Sequence, residues 1–183
     1  MLYVAPLDGS GAREVGGDLD LHLVGATNGD VFNESSPSLP VWSADGQRIA
    51  CVASTRGNEW LLALHAFAPN DAPLWLIAEP GVLGGDTLDR ARQRVAYLWS
   101  TLDDPAQLVV RDLAYDSPNA PRTLTALNPW LAEIETGEIE ERWFKAYDGL
   151  DLHGWILKPP GFDPSQKYPS IMQIHSGPQT QNS

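Results

Sequence analysis

Two stretches 46 residues apart constrain this chain more than any other feature of it. SADGQRIACVAS (Ser43–Ser54) aligns with DRARQRVAYLWS (Asp89–Ser100), with Gln-Arg, a β-branched residue and Ala in register. The match continues: EWLLALHAF (Glu59–Phe67) lies over AQLVVRDL (Ala106–Leu113), and LWLIAE (Leu74–Glu79) over RTLTAL (Arg122–Leu127). Each run is apolar or alternating and is bounded by Pro, Asp, Asn or Gly, the pattern of short antiparallel strands joined by turns. The turn at Ala44–Gln47 is the clearest, because Asp-Gly tolerates the positive φ of a tight hairpin. A repeat of this length built from short strands has the period of a propeller blade.

The fold class expected is therefore mainly β, and residues 1–130 read as the C-terminal blades of an incomplete β-propeller. They form about three four-stranded units, the first of them partial because LYVAPLDG enters directly as a strand. A blade stacks its faces on its neighbours and cannot bury them alone, and closure takes about four to eight blades. The chain is accordingly expected to be a fragment, truncated at its start. Trp42, Trp60, Trp75 and Trp99 fall on separate strands rather than in one loop, so they are expected to pack in or beside the core and not to form a stacking platform.

The architecture changes after Asn128. Five of the nine positions from Glu133 to Glu141 are Glu, and residues 131–141 read as a solvated acidic connector. Residues 142–183 differ in their basic residues too: before Lys145 every basic side chain is Arg, and Lys145, Lys158 and Lys167 all follow. An aromatic run to Tyr147, the Asp148-Gly149 turn and LDLHGWIL (Leu150–Leu157) predict a β-hairpin. After Pro159-Pro160-Gly161, SIMQIH (Ser170–His175) predicts a strand covered on both faces, of the kind found in α/β sheets.

Composition excludes several function classes. A net charge of −12 argues against nucleic acid, whose binding needs clustered Lys and Arg. No apolar run approaches 18 residues and the first fifteen residues lack a basic start followed by an apolar core, so neither a membrane partner nor a secretory signal is expected, and the cytoplasm is the default. Cys51, the one cysteine, permits no internal disulfide and no cysteine-based zinc site, and its apolar setting in RIACVAS suits a core residue. The four histidines show no metal-ligand spacing, so neither a metal nor a cofactor is expected.

The stretch YDGLDLHGWILKPPGFDPSQKYPSIMQIHSGP (Tyr147–Pro178) resembles the entry into the catalytic domain of the prolyl oligopeptidase family of serine peptidases, most closely its acylaminoacyl-peptidase-like branch. That family's pattern runs from DG through a hairpin ending in Gly-Trp, then Pro, Gly-Phe or Gly-Tyr, and Tyr-Pro, to a strand ending in His-Gly-Gly-Pro. VWSADGQRIACVAS is similar to the blade motif of the same family's N-terminal propeller. The resemblance implies that 142–183 is the truncated start of an α/β-hydrolase domain. It also implies a parent enzyme that hydrolyses oligopeptide substrates with Ser, Asp and His in that order, all three downstream of Ser183. It places the oxyanion-hole region at His175, Ser176, Gly177 and Pro178, with the Gly177 backbone N–H as donor and Ser176 standing where the family usually has Gly.

No Gly-x-Ser-x-Gly elbow occurs in the sequence, so no catalytic residue is assigned within the 183 residues and the chain alone is expected to be inactive. His22 and His65 read as sheet residues with satisfied rings, and His153 as lying on the polar face of the hairpin. GVLGGD (Gly81–Asp86) reads as a turn between strands, lacking the Lys-Ser or Lys-Thr of a phosphate loop, and Asp103-Asp104 as a hairpin loop. The alternative function is a non-catalytic β-rich interaction module that binds partners through open sheet edges. Oligomeric state and the choice between exopeptidase and endopeptidase stay open.

Overall fold

The computed structural model describes residues 1–17, 19–28, 39–113, 119–175 and 181–182. Among them the chain forms two compact units: Met1–Leu127 with the described residues from His175 onward, and Asn128–Ile174.

In the first unit β1 (Leu2–Val4) pairs with β2 (Arg13–Val15) in a hairpin of its own, so the partial first unit expected from the sequence contributes a two-stranded ladder. After β3 (Thr27–Asn28) come β4 (Val41–Trp42), β5 (Arg48–Thr55), β6 (Asn58–His65) and β7 (Leu74–Ile77), which pair consecutively and antiparallel. The same path is then repeated by β8 (Val82–Leu88), β9 (Arg94–Ser100), β10 (Gln107–Asp112) and β11 (Arg122–Thr123). A single parallel bridge, Glu59 to Val82, joins the two four-stranded sets.

The 46-residue offset persists in the hydrogen bonding. Ser43 N–H donates to Arg48 O at 2.8 Å, and Asp89 N–H to Arg94 O at 2.9 Å. Gly46 and Arg92 occupy equivalent turn positions and both take positive φ, 69° and 57°. The side chains solve the turn differently. Asp89 Oδ1 accepts from both Gln93 N–H and Arg94 N–H, whereas in the first set Asp45 Oδ1 accepts from Gln47 N–H and Ser43 Oγ from Arg48 N–H. Those hydrogen bonds hold the Asp45 and Asp89 carboxyls below the usual carboxylate range, Ser43 contributing most at the first and Gln93 at the second.

Two apolar clusters form because β5 and β6 are buried on both faces. Ala50, Val52, Leu61 and Ala63 pack with Ile77, Leu83, Val95, Tyr97 and Val109, while Cys51, Ala53, Leu62 and Leu64 pack with Val15 and Leu23. Adjacent residues point to opposite faces, so a strand covered on both sides must be apolar at successive positions, as RIACVAS and WLLALHA are. Each fully buried Leu or Val of these clusters contributes about 1.5–3 kcal/mol.

In the second unit a 3-10 helix (Pro129–Glu133) precedes β12 (Ile139–Lys145) and β13 (Asp151–Leu157), an antiparallel hairpin with register Trp143 to His153. The acidic stretch read as a connector over 131–141 thus contributes Ile139, Glu140 and Glu141 to a strand. Gly149 N–H donates to Ala146 O and Ala146 N–H to Leu150 O, making a three-residue loop with Gly149 at φ 90°. Two expectations are corrected. SIMQIH belongs to no ladder: none of the described strands pairs with it, and Ile171, Met172 and Ile174 are 97%, 85% and 79% exposed. Gly81–Asp86 is no simple turn, since Val82 onward lies in β8 with an irregular register between Gly84 and Thr87. No helix among the described residues is long and apolar enough to cross a membrane.

Candidate functional site

Of the oxyanion-hole region only His175 falls within the described residues; it is exposed and outside any strand. Ser176, Gly177 and Pro178 lie outside the described residues. The loop leading there is organised by Asp163, whose Oδ1 accepts from Ser165 N–H and Ser165 Oγ–H and whose Oδ2 accepts from Gln166 Nε2. Those donors hold its carboxyl below the usual range, the Ser165 backbone N–H contributing most. Tyr168 Oη accepts from Asp163 N–H at 3.0 Å while its ring lies 5.1 Å from that of Phe162, and Lys158 Nζ sits 5.4 Å from the Phe162 ring centroid. These contacts fix the turn before the SIMQIH segment.

The hairpin carries a histidine held among aromatic and acidic side chains. His153 lies 4.6 Å from both Trp143 and Trp155, ring centroid to ring centroid, and its Nε2 is 2.9 Å from Glu141 Oε1. A carboxylate oxygen accepts, so Nε2 carries the proton. Trp143 Nε1–H donates to the same oxygen at 3.3 Å. The His153 side chain is 12% exposed, so the expected polar-face placement is corrected: it belongs to an aromatic face. The signal was available in part, since period-2 alternation puts 141 and 143, and 153 and 155, on common faces. Only the register brings the two pairs together.

The remaining residues singled out from sequence have structural partners. His65 Nδ1 accepts from Phe67 N–H and Ala68 N–H, both at 3.1 Å, and His22 pairs through its backbone with Ser54. Asp103 and Asp104 close a turn with Thr101. Cys51 is buried, and desolvation pushes its thiol up to about 12. Among the described residues no group of three His, Cys, Asp or Glu could hold a metal ion.

Glu59 is not among the residues that sequence motifs single out. It is 2% exposed, its Oε1 accepts from Thr27 N–H at 2.7 Å and Ser54 Oγ–H at 3.3 Å, and burial raises its carboxyl above the usual range. Its position inside an apolar strand was the available sign, because an acid there needs buried donors.

No family model matches the chain. A probable dipeptidyl-peptidase 5 from Aspergillus clavatus is 26% identical over 153 residues, 80% of this chain and 20% of the relative. The uncharacterized peptidase YuxL of Bacillus subtilis is 24% identical over 161 residues, 87% of this chain and 23% of the relative. Among solved structures, an acylaminoacyl peptidase in complex with Z-Gly-Gly-Phe-chloromethyl ketone superposes with a TM-score of 0.59 at 19% identity, covering 88% of this chain and 21% of that one. The chain spans about a fifth of the length of the curated relatives it matches.

Proposed function

We propose that the chain belongs to the prolyl oligopeptidase family of serine peptidases and acts as one segment of a peptide hydrolase of the acylaminoacyl-peptidase-like branch. In this reading the repeated four-stranded sets are propeller blades and the β12–β13 hairpin opens an α/β-hydrolase domain. The observation that carries it is the order along one chain: a 46-residue repeat of four antiparallel strands, then a separate hairpin, then the YP…HSGP segment.

The chemistry follows from that placement. A serine attacks the scissile carbonyl, a histidine takes its proton, and an aspartate orients the imidazole. Negative charge then develops on the carbonyl oxygen, where the Gly177 N–H is the proposed donor. These 183 residues contain no Gly-x-Ser-x-Gly elbow, so in this reading the nucleophile belongs to chain outside them. The substrates proposed are short peptides.

Fluorophosphonate labelling of the native polypeptide, with its intact mass, tests this reading. A labelled protein much heavier than 20.0 kDa that cleaves acyl-peptide or aminopeptide substrates supports it. An unlabelled native protein of that mass overturns it and favours an interaction module.

A further inference from the structure

The β1–β2 hairpin forms one wall of a groove that the peptidase reading leaves unused. Val4, Pro6, Leu7 and Arg13 face Trp42 and Phe67 across about 490 Å³. All lie in the first compact unit. The walls are apolar except at one point: the Arg13 guanidinium carbon stands 4.7 Å from the Phe67 ring centroid.

Stacking occupies the face of a guanidinium and leaves its N–H edge free, and that edge matches the two oxygens of a carboxylate. Among the described residues no acidic side chain lies within ion-pair distance of Arg13. A cation with no acidic partner among the described residues, set beside exposed aromatic walls, selects a ligand with one anionic end and an apolar body. Trp42 and Phe67 are 38% and 54% exposed, so among the described residues the groove is open and a longer ligand can leave it.

We propose that this groove binds the C-terminal residue of a peptide, its carboxylate on Arg13 and an aromatic or branched side chain between Trp42 and Phe67. A free carboxylate directly beside a bulky apolar group is the chemistry of a peptide's last residue, and the volume accommodates it. The proposal does not depend on the peptidase reading.

The native polypeptide carrying these residues is titrated with acetyl-Ala-Ala-Phe as the free acid and as the C-terminal amide, by calorimetry and tryptophan fluorescence. Saturable binding of the acid, at least about tenfold tighter than the amide, is expected from the loss of one charge-assisted pair. Arg13→Gln brings the acid down to the level of the amide with an unchanged far-UV spectrum, and Trp42→Ala weakens both. Equal binding of acid and amide, unaltered affinity in Arg13→Gln, or no saturation by the folded wild type overturns the proposal. Binding that follows an active-site fluorophosphonate block instead of Arg13 overturns it as well.

Discussion

Arg111 of the second four-stranded set reaches Glu79, at the end of the first, with Nη1 to Oε1 at 2.5 Å. The Arg111 side chain is 9% exposed and the Glu79 side chain 43%. Glu79 also accepts Trp60 Nε1–H on its backbone oxygen at 2.6 Å, so one residue ties together β6, β10 and the end of β7. Removing the carboxylate strands a guanidinium whose Nε has no partner among the described residues. Glu79→Ala is expected to cost about 1–3 kcal/mol, below the value for a fully buried pair because Glu79 is partly solvated. Replacing both residues by apolar ones recovers part of that loss. Urea denaturation of the single and double variants checks it; additive losses would show that the pair is not coupled.

Glu59 sets a pH dependence of known sign. Its carboxyl is raised above the ordinary 4.5 by burial, so the folded state holds its proton more tightly than the unfolded chain. Stability from this group is complete below about that ordinary value and is lost as pH rises through the folded one. Asp45, Asp89 and Asp163 work in the opposite sense, since their lowered values give stability that is lost as pH falls through them. Glu59→Gln therefore flattens the stability decline above the ordinary carboxylate range while leaving the acid limb intact. Thermal melts from about pH 2 to 8 measure both limbs, and an unchanged upper limb in the variant would contradict the assignment.

Gly137 sits where a Cβ would lie 1.6 Å from Lys158 O. The two backbones meet there because Lys158 N–H donates to Glu138 O at 2.9 Å. Gly137→Ala cannot be absorbed by a side-chain shift, since the obstacle is backbone, and is expected to cost about 2 kcal/mol or more and to release the β12–β13 hairpin. Amide exchange across residues 139–157 is the measurement, with loss of protection expected there and not in β5 or β6.

His153→Ala removes the ring lying against Trp143 and Trp155 and the hydrogen bond to Glu141. Aromatic pairs of this kind are worth about 0.5–1.5 kcal/mol each, so a loss of about 1–2 kcal/mol from the hairpin is expected. Near-UV circular dichroism should lose tryptophan intensity in parallel. His153→Phe keeps the stacking without the hydrogen bond and is expected to retain most of the signal.

Cys51 is buried among Ala53, Leu62 and Leu64, with its thiol pushed up to about 12. Iodoacetamide at pH 8 should therefore leave the native protein unlabelled and modify it once urea unfolds it. Rapid labelling of the folded chain would place Cys51 on an opening segment of β5.

Much of the architecture was legible without coordinates because it is written in local chemistry. The 46-residue repeat encodes two sets of strands, the turns at Gly46 and Gly149 need residues that accept positive φ, and the successive apolar positions of β5 and β6 announce burial on both faces. Tertiary structure decided what depends on register and on neighbours distant in sequence. Trp143 meets His153 only because the three-residue loop sets the pairing, and Glu59 is tolerable only because Thr27 and Ser54 bring donors to it. SIMQIH has the composition of a buried strand, yet a strand exists by its partner's hydrogen bonds, and among the described residues it has none. Periodicity states which face a residue takes, whereas pairing states what that face will meet.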